Sequence, residues 1–194
     1  MLEYLNQIDT NIFLLLNGWH NPTFDVVMVY ISSKLFWLPF YIFLLYLIIK
    51  EYKWKSLVII LLTALLITLT DQTSVQLFKN VFQRLRPCHN PDLQAMVHTV
   101  EYCGGLYGFV SSHATNYFGI IVFVSGLLKH KYNWLPWVLF VWGLLIIYSR
   151  VYLGVHYPGD IIAGTILGSF IGWLVLWLYR FTDTKWLQSL SQKK

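Results

Sequence analysis

Long apolar stretches dominate this sequence and decide what it can fold into. A helix needs roughly 20 apolar residues to cross a bilayer, and we place stretches near that length at 24–49, 56–78, 109–128, 134–148 and 161–179. Hydrophobic residues make up 57% of the chain and charged residues only 12%, a balance too apolar for an ordinary soluble domain. The sequence therefore predicts an all-α, polytopic transmembrane helical bundle of about five spanning helices.

The segment before the first stretch has a different pattern. Apolar residues recur at helical spacing from Leu2 to Leu16 with polar residues between them, as in an amphipathic helix that lies on a membrane surface. Gly18 and Pro22 then interrupt regular structure. We expect an interfacial helix and turn over 1–21, a functional core over 56–180, and one membrane-embedded domain over residues 1–194. No basic residue precedes an apolar stretch at the start, so we expect no cleavable signal peptide.

The basic residues give the predicted bundle an orientation. With alternating spans, most of the 14 Lys and Arg residues fall on one side, and the positive-inside tendency assigns that side to the cytoplasm. The N-terminus and the long polar loop over 87–108 are then outside. This orientation explains the net charge of +5 without a nucleic-acid partner. Cys88 and Cys103 both lie in the outer loop, where the sequence allows either a disulfide or two separate thiols.

Ionisable residues concentrate at three span ends that alternating topology brings to the outer face. In the first segment, Lys79 and Arg86 precede Pro87. If the helix continues past Lys79, both cations project from one side and could hold a single anion. In the second segment, Ser111 suits the N-cap of the third span, which places backbone N–H groups and a positive helix end beside His113. Such a helix end attracts phosphate.

The third segment contains Arg150, His156 and Asp160. The planar guanidinium of Arg150 suits the paired oxygens of a phosphate. Asp160 could bond one ring nitrogen of His156, which precedes an expected Pro-Gly turn, and the other nitrogen would then face the substrate as a nucleophile. His113 is the other histidine within a motif and is the candidate to protonate the departing oxygen. This chemistry requires no metal, so we expect no cofactor.

The three segments resemble the signature of the type-2 phosphatidic acid phosphatases, whose superfamily also includes soluble vanadium haloperoxidases. The first part of that signature, Lys, six residues, Arg-Pro, is complete here from Lys79 to Pro87. The third part, Ser-Arg, five residues, His, three residues, Asp, is complete from Ser149 to Asp160. The middle part, Pro-Ser-Gly-His in the family, reads Val110-Ser111-Ser112-His113 here.

The resemblance implies that His156 forms a phosphohistidine, with Asp160 as its partner and His113 as the acid. It also implies a metal-independent phosphate site, for which the candidate residues are Lys79, Arg86, Ser111, Ser112 and Arg150. Asp71, Arg84, His89 and His98 border this constellation. We assign no role to Asp71, whereas the other three could touch a second phosphate or a sugar headgroup.

We therefore expect an integral membrane lipid phosphatase of the bacterial inner membrane with its active site facing the periplasm. Its substrate would be a membrane lipid, most simply undecaprenyl diphosphate, with lipid A next and phosphatidylglycerophosphate or phosphatidic acid after that. A small transporter is disfavoured because the charges cluster at one face, not within the membrane. A catalytically silent interaction protein with the same fold is the other alternative.

Overall fold

The computed structural model describes residues 2–100 and 102–191, and over this part the regular structure is helical, without strands. The predicted all-α class is therefore confirmed. The main helices are α1 Leu2–Asn17, α2 Pro22–Ser32, α3 Leu38–Tyr52, α4 Ser56–Gln72, α5 Asn80–Phe82, α6 Ser112–Leu128, α7 Leu135–Tyr152 and α8 Pro158–Ser191. A π-helix, Thr73–Lys79, connects α4 to α5, and short 3₁₀ turns lie at Lys53–Lys55, Pro87–His89 and Pro91–Leu93.

Several of these helices suit a membrane. In the described residues, three helical stretches are long and apolar enough to cross one. They are Leu38–Phe82, which runs from α3 to α5, Leu135–Tyr152 and Pro158–Asp183. Helices α2 and α6 are apolar but shorter. Large hydrophobic side chains such as Trp137 and Leu61 point outward and are mostly exposed, as expected for helices that face lipid. Inside the bundle, α3, α4, α6, α7 and α8 share one apolar core around Trp142 and Phe123.

The single span predicted over 24–49 is wrong, because this region forms two helices. Helix α2 ends at Ser32, Ser33 is extended, and α3 begins only at Leu38. Pro39 lies in the first turn of α3, where its missing N–H is tolerated, whereas in a continuous helix it would remove a hydrogen bond. Trp37 Nε1 donates to the Ile31 carbonyl at 2.8 Å, which satisfies an acceptor at the end of α2.

Helices α6 and α8 pack closely against each other. This contact brings the second polar segment, with Ser111, next to the third, with Asp160. Gly164, Gly168 and Gly172 recur every four residues along α8, and a Cβ at Gly168 would lie 2.1 Å from the Thr115 carbonyl oxygen. Only small residues allow helix backbones to approach so closely in a membrane. At the outer end of this contact the Ser111 N–H donates to the Asp160 carbonyl at 3.0 Å. The first turns of α6 and α8 are therefore neighbours.

The predicted N-terminal helix is present as α1. Its apolar side chains Leu5, Ile12 and Leu15 are exposed, whereas Phe13 is fully buried. The Phe13 ring lies 5.4 Å from that of Tyr157. At the end of α1 the Asn17 side chain donates to the Tyr152 carbonyl at 2.7 Å and accepts from the His98 N–H at 2.8 Å. Helix α1 is thus docked against the end of α7 and the start of α8, with Leu5, Ile12 and Leu15 facing away from the bundle.

Candidate active site

The segment from Lys79 to Arg86 reaches the site by a route that differs from the predicted one. The helix does not continue to Arg86, since α5 ends at Phe82 and Gln83 adopts a left-handed conformation with φ 47°. A residue in this conformation ends a helix. Beyond it the chain is extended, and the Arg86 N–H donates to the Leu106 carbonyl at 3.1 Å. Arg86 and Lys79 are nevertheless close enough to interact electrostatically.

The loop over 87–108 holds this extended segment in place. The Gly108 N–H donates to the Arg84 carbonyl at 2.8 Å, so the two ends of the loop run side by side. Within the loop, Cys88 and Cys103 form a disulfide with their Cα atoms 6.1 Å apart. The structure thus decides between the two alternatives that the sequence left open.

The start of α6 connects the second motif to the first. Ser111 is the N-cap, as predicted, and its side chain accepts from the Ala114 N–H at 3.4 Å. Ser112, which stands where the family has glycine, accepts a hydrogen bond from Lys79 Nζ at 2.8 Å. The Ser112 Oγ also lies 2.7 Å from Ser74 Oγ in the π-helix. π-Helical turns often accompany functional sites, and this one brings Lys79 to the positive end of α6.

His156 occupies the centre of the third segment and is 1% exposed. Its Nδ1 lies 3.4 Å from Asp160 Oδ2, and its Nε2 lies 3.4 Å from Arg86 Nη1. Because a guanidinium can only donate, we assign the Nδ1–H tautomer, with the lone pair on Nε2. Burial lowers the pKa of His156 well below its usual range, and Arg86 and Arg150 lower it further. The neutral imidazole is therefore favoured, which is the form that the predicted role as a nucleophile requires.

Asp160 is fully buried and lies in the first turn of α8. The turn expected at Pro158-Gly159 is therefore absent, because these two residues begin the helix, where proline is well tolerated. The Tyr157 N–H donates to Asp160 Oδ2 at 3.1 Å. This contact orients the carboxylate toward His156.

Arg150 and His113 complete the predicted set. Arg150 lies near the end of α7, and its Nη1 donates to the Ser32 hydroxyl of α2. His113 lies in the first turn of α6 and interacts electrostatically with Arg150, His156 and Arg86. All residues that the sequence assigned to the site therefore gather at one end of the bundle, although they come from three separate segments.

This arrangement suits an anion with several oxygens. Lys79, Arg86 and Arg150 supply cations around His156, and the first turn of α6 supplies backbone N–H groups. Within the part of the chain that the structure describes, the buried Nε of Arg86 has no hydrogen-bond acceptor. A phosphate between these groups would provide the missing acceptor and balance the cations. Residues 2–100 and 102–191 contain no group of three His, Cys, Asp or Glu side chains that could hold a metal. Metal independence remains a prediction.

Two contacting residues, Arg84 and Asp9, were not assigned from the sequence. Arg84 donates to Asp160 Oδ1 at 2.8 Å and to Asp9 Oδ2 at 2.7 Å, so it contacts the carboxylate beside His156, whereas the sequence suggested for it a second phosphate or a sugar headgroup. Its place inside the first motif was a signal that could have been used. No sequence pattern distinguishes Asp9 from other polar residues of α1.

Gly108 also contacts the site. A Cβ there would lie 2.9 Å from Asp160 Oδ2 and 3.3 Å from Arg86 Cγ, so only glycine fits without displacing one of them.

His89 and His98, the other two residues expected to border the site, contact parts of the protein outside the cation cluster. The His89 ring is 3.1 Å from the Gly104 carbonyl, and the His98 ring is 2.9 Å from Asp25 and stacks on His20.

A groove of about 570 Å³ opens beside the cation cluster between α3, α4 and α6. At the end nearest the cation cluster it is lined by Asp71, Ser112, His113 and Asn116 of α4 and α6, and by Lys34 of the link between α2 and α3. Toward the other end the lining is apolar and includes Leu44, Ile48, Ile60, Ile67 and Val124. Ile60 precedes Asp71 by eleven residues on one helix, or roughly 16 Å of helix rise.

A helical bundle of this kind, with a buried histidine–carboxylate pair among cations at its end, defines a membrane enzyme that acts on phosphate groups. The family model of the PAP2 superfamily matches residues 52–183, and the chain belongs to this superfamily. The predicted resemblance is confirmed, and the protein is a lipid phosphatase, a hydrolase.

Characterised relatives cover most of the chain. A lipid A 4'-phosphatase of Bacteroides thetaiotaomicron is 39% identical over 90% of this chain and 78% of its own length. A lipid A 4'-phosphatase of Porphyromonas gingivalis is 39% identical over 96% of this chain and 79% of its own. An undecaprenyl-diphosphatase of Sulfolobus acidocaldarius is 30% identical over 86% of this chain and 76% of its own.

Two crystal structures share the fold. LpxE of Aquifex aeolicus aligns with a TM-score of 0.62 and 26% identity, covering 86% of this chain and 93% of the other. A PAP2-type phosphatidylglycerolphosphate phosphatase of Bacillus subtilis aligns with a TM-score of 0.68 and 22% identity, covering 94% and 87%.

Proposed function

We propose that this protein is a lipid A 4'-phosphatase that acts through a phosphohistidine on His156. The observation that carries the proposal is the groove, because Ser112 and His113 line it together with many apolar side chains of the helices, and Ser112 accepts a hydrogen bond from Lys79 of the cation cluster. The choice of lipid rests on the two relatives with that activity, which are 39% identical, against 30% for the undecaprenyl-diphosphatase. Lipid A therefore replaces undecaprenyl diphosphate, the first expectation from the sequence, as the leading substrate.

The first chemical step transfers the phosphoryl group to His156. The Nε2 lone pair attacks phosphorus, the bond from phosphorus to the lipid oxygen breaks, and His113, protonated once the anionic phosphate is bound beside it, donates its proton to that oxygen. Asp160 stabilises the positive charge that develops on the imidazole by accepting from Nδ1–H. Lys79, Arg86 and Arg150, with the N–H groups of α6, stabilise the equatorial oxygens.

The second step returns the enzyme to its starting state. Water attacks the phosphohistidine from the side that the lipid has left, and His113, now neutral, accepts its proton. The bond between Nε2 and phosphorus breaks, inorganic phosphate leaves, and His156 regains its lone pair. Each histidine thus ends in the protonation state in which it began.

The groove accounts for how a lipid reaches this centre. Acyl chains would lie against the apolar lining formed by α3, α4 and α6, and the phosphorylated sugar would lie at the polar outer end beside His113. The substrate can then enter sideways without leaving the bilayer. We further propose a bacterial inner membrane location with the site on the periplasmic face. The Cys88–Cys103 disulfide supports this side, because disulfides persist in oxidising compartments.

Phosphate release by the purified protein in detergent tests the substrate. The panel contains lipid A with phosphate at both positions, lipid A with phosphate only at position 4' or only at position 1, undecaprenyl diphosphate and phosphatidylglycerophosphate. We expect the highest kcat/KM on lipids with the 4'-phosphate and unchanged activity with a chelator. A preference for undecaprenyl diphosphate, the substrate in the name of the 30% identical relative, would overturn lipid A as the substrate. The protein would still be a lipid phosphatase. Chelator sensitivity would overturn the metal-free mechanism.

A further inference from the structure

We propose that Asp9 of the surface helix α1 and Arg84 are positioning residues for the nucleophile, so that the enzyme's turnover depends on the docking of α1. The inference rests on the proposed function in one respect, since it takes His156 as the group that attacks phosphorus.

Arg84 makes the first link, because it binds one of the two carboxylate oxygens of Asp160. Its Nη1 donates to Oδ1 at 2.8 Å, which leaves Oδ2 for His156 Nδ1 and the Tyr157 N–H. Arg84 also lies over the Tyr157 ring, 4.1 Å from its centroid. A fully buried carboxylate is costly unless it is paired. Without Arg84, Asp160 loses a cation that touches it directly and the contact that fixes its rotation.

Asp9 makes the second link and orients Arg84. Its Oδ2 accepts from Arg84 Nη2 at 2.7 Å, and its Oδ1 accepts from the Gly159 N–H at 2.7 Å. A guanidinium that donates to two carboxylates through different nitrogens is held in a single orientation. Because Gly159 directly precedes Asp160, the same carboxylate also holds the first turn of α8. A Cβ at Gly159 would lie 2.6 Å from Asp9 Oδ2, which shows how closely α1 approaches there.

Helix α1 brings Asp9 to this position from outside the bundle. It is anchored beyond Asp9 by its own packing, with Phe13 against Tyr157 and Asn17 against the end of α7. The contacts therefore form one chain from α1 through Asp9, Arg84 and Asp160 to His156. None of the cations assigned to phosphate binding takes part in the links from Asp9 to Asp160, so this chain should affect the chemical step more than substrate binding.

The test compares Asp9→Asn, Arg84→Lys, Arg84→Gln and the double variant Asp9→Asn with Arg84→Gln. The matched control is Glu3→Gln, which removes the same charge from an exposed position of α1. Kinetics are measured on whichever lipid the unaltered enzyme hydrolyses best, so the outcome does not depend on the identity of that lipid. Thermal unfolding of each variant checks that the fold is kept.

We expect Asp9→Asn to lower kcat about 10-fold and Arg84→Gln about 100-fold with KM nearly unchanged, the size usual for partners of a catalytic group. Arg84→Lys keeps a cation but cannot bridge two carboxylates, so it should lose activity with a normal Tm. The losses in the double variant should fall short of the product of the two single losses, because Asp9 acts in part through Arg84. Rapid quenching under alkaline conditions should show slower phosphohistidine formation in Asp9→Asn than in Glu3→Gln.

Equal kcat values for Asp9→Asn, Arg84→Lys and the Glu3→Gln control would overturn the inference, as would multiplying losses in the double variant. A loss that appears only in KM would also overturn it. Failure of the proposed function is recognised separately, because His156→Ala would then retain activity. If His156→Ala is inactive and Asp9→Asn is normal, only the positioning role is wrong.

Discussion

The catalytic centre and the lipid groove meet at His113 but are built in opposite ways. In the centre, buried side chains such as His156 and Asp160 are each held by specific hydrogen bonds and ion pairs. In the groove, most of the lining side chains are apolar and belong to three helices, although the hydroxyls of Tyr41 and Tyr117 lie 3.0 Å apart. Polar networks fix geometry, whereas apolar surfaces fix only shape and area. The centre should therefore determine kcat, and the groove should determine KM and the choice of lipid.

His156→Ala should distinguish most strongly between the role of the centre in turnover and the role of the groove in lipid binding. Removing the nucleophile should lower kcat by a factor of about 10⁴ or more while the lipid still binds in the groove. Phosphate release and trapping of the phosphoenzyme measure the effect. Residual phosphohistidine in this variant would place the nucleophile elsewhere.

Gly108→Ala tests how tightly the centre is packed. The added Cβ would lie 2.9 Å from Asp160 Oδ2, so the carboxylate or Arg86 must shift, and we expect kcat to fall about 10- to 100-fold, as for the loss of an orienting partner. Gly105→Ala is the matched control, because a Cβ there meets nothing within 4 Å. Similar kinetics for the two variants would mean that the centre tolerates displacement.

Ala64→Phe tests the groove alone. Ala64 lines the groove from α4, and a ring there should obstruct acyl chains and raise KM for the lipid by about 10-fold, since each lost CH₂ contact weakens binding. Hydrolysis of a short soluble phosphate ester should be unaffected. The control is Leu61→Phe on the same helix, where the side chain is 70% exposed on the outer surface. Equal losses on lipid and soluble ester would contradict the division between the regions.

Asp71→Asn tests the boundary between the centre and the groove, and we expect it to have the smallest effect. Its carboxylate lines the outer part of the groove and interacts electrostatically with Lys79. It should repel a second phosphate of a diphosphate more than it affects an uncharged sugar hydroxyl. We expect the ratio of kcat/KM for undecaprenyl diphosphate to that for lipid A to rise about 5-fold, as for the loss of roughly 1 kcal/mol of repulsion. Asp92→Asn, at an exposed loop position, should leave the ratio unchanged.

Much of the centre could be predicted because its residues lie at fixed local spacings. Asp160 follows His156 by four residues and Ser111 precedes His113 by two, so each pair stays close in whichever fold the spans adopt. The route of Arg86 could not be predicted in the same way. A left-handed residue at Gln83 and a backbone contact with Leu106 replace the helix that the spacing suggested.

Apolar stretches of bilayer length, together with the order of three polar motifs, were sufficient to establish a helical membrane protein with a phosphate chemistry at one end. These properties depend on residue type and on neighbours in the chain. The break between α2 and α3, the pairing of Arg84 with Asp9 and Asp160, and the groove between α3, α4 and α6 depended on the tertiary structure. The pairing and the groove are contacts between distant segments, and at the break the Trp37 ring lies 5.9 Å from that of Trp142 in α7. The energy of such contacts is set by packing and burial that no local pattern records.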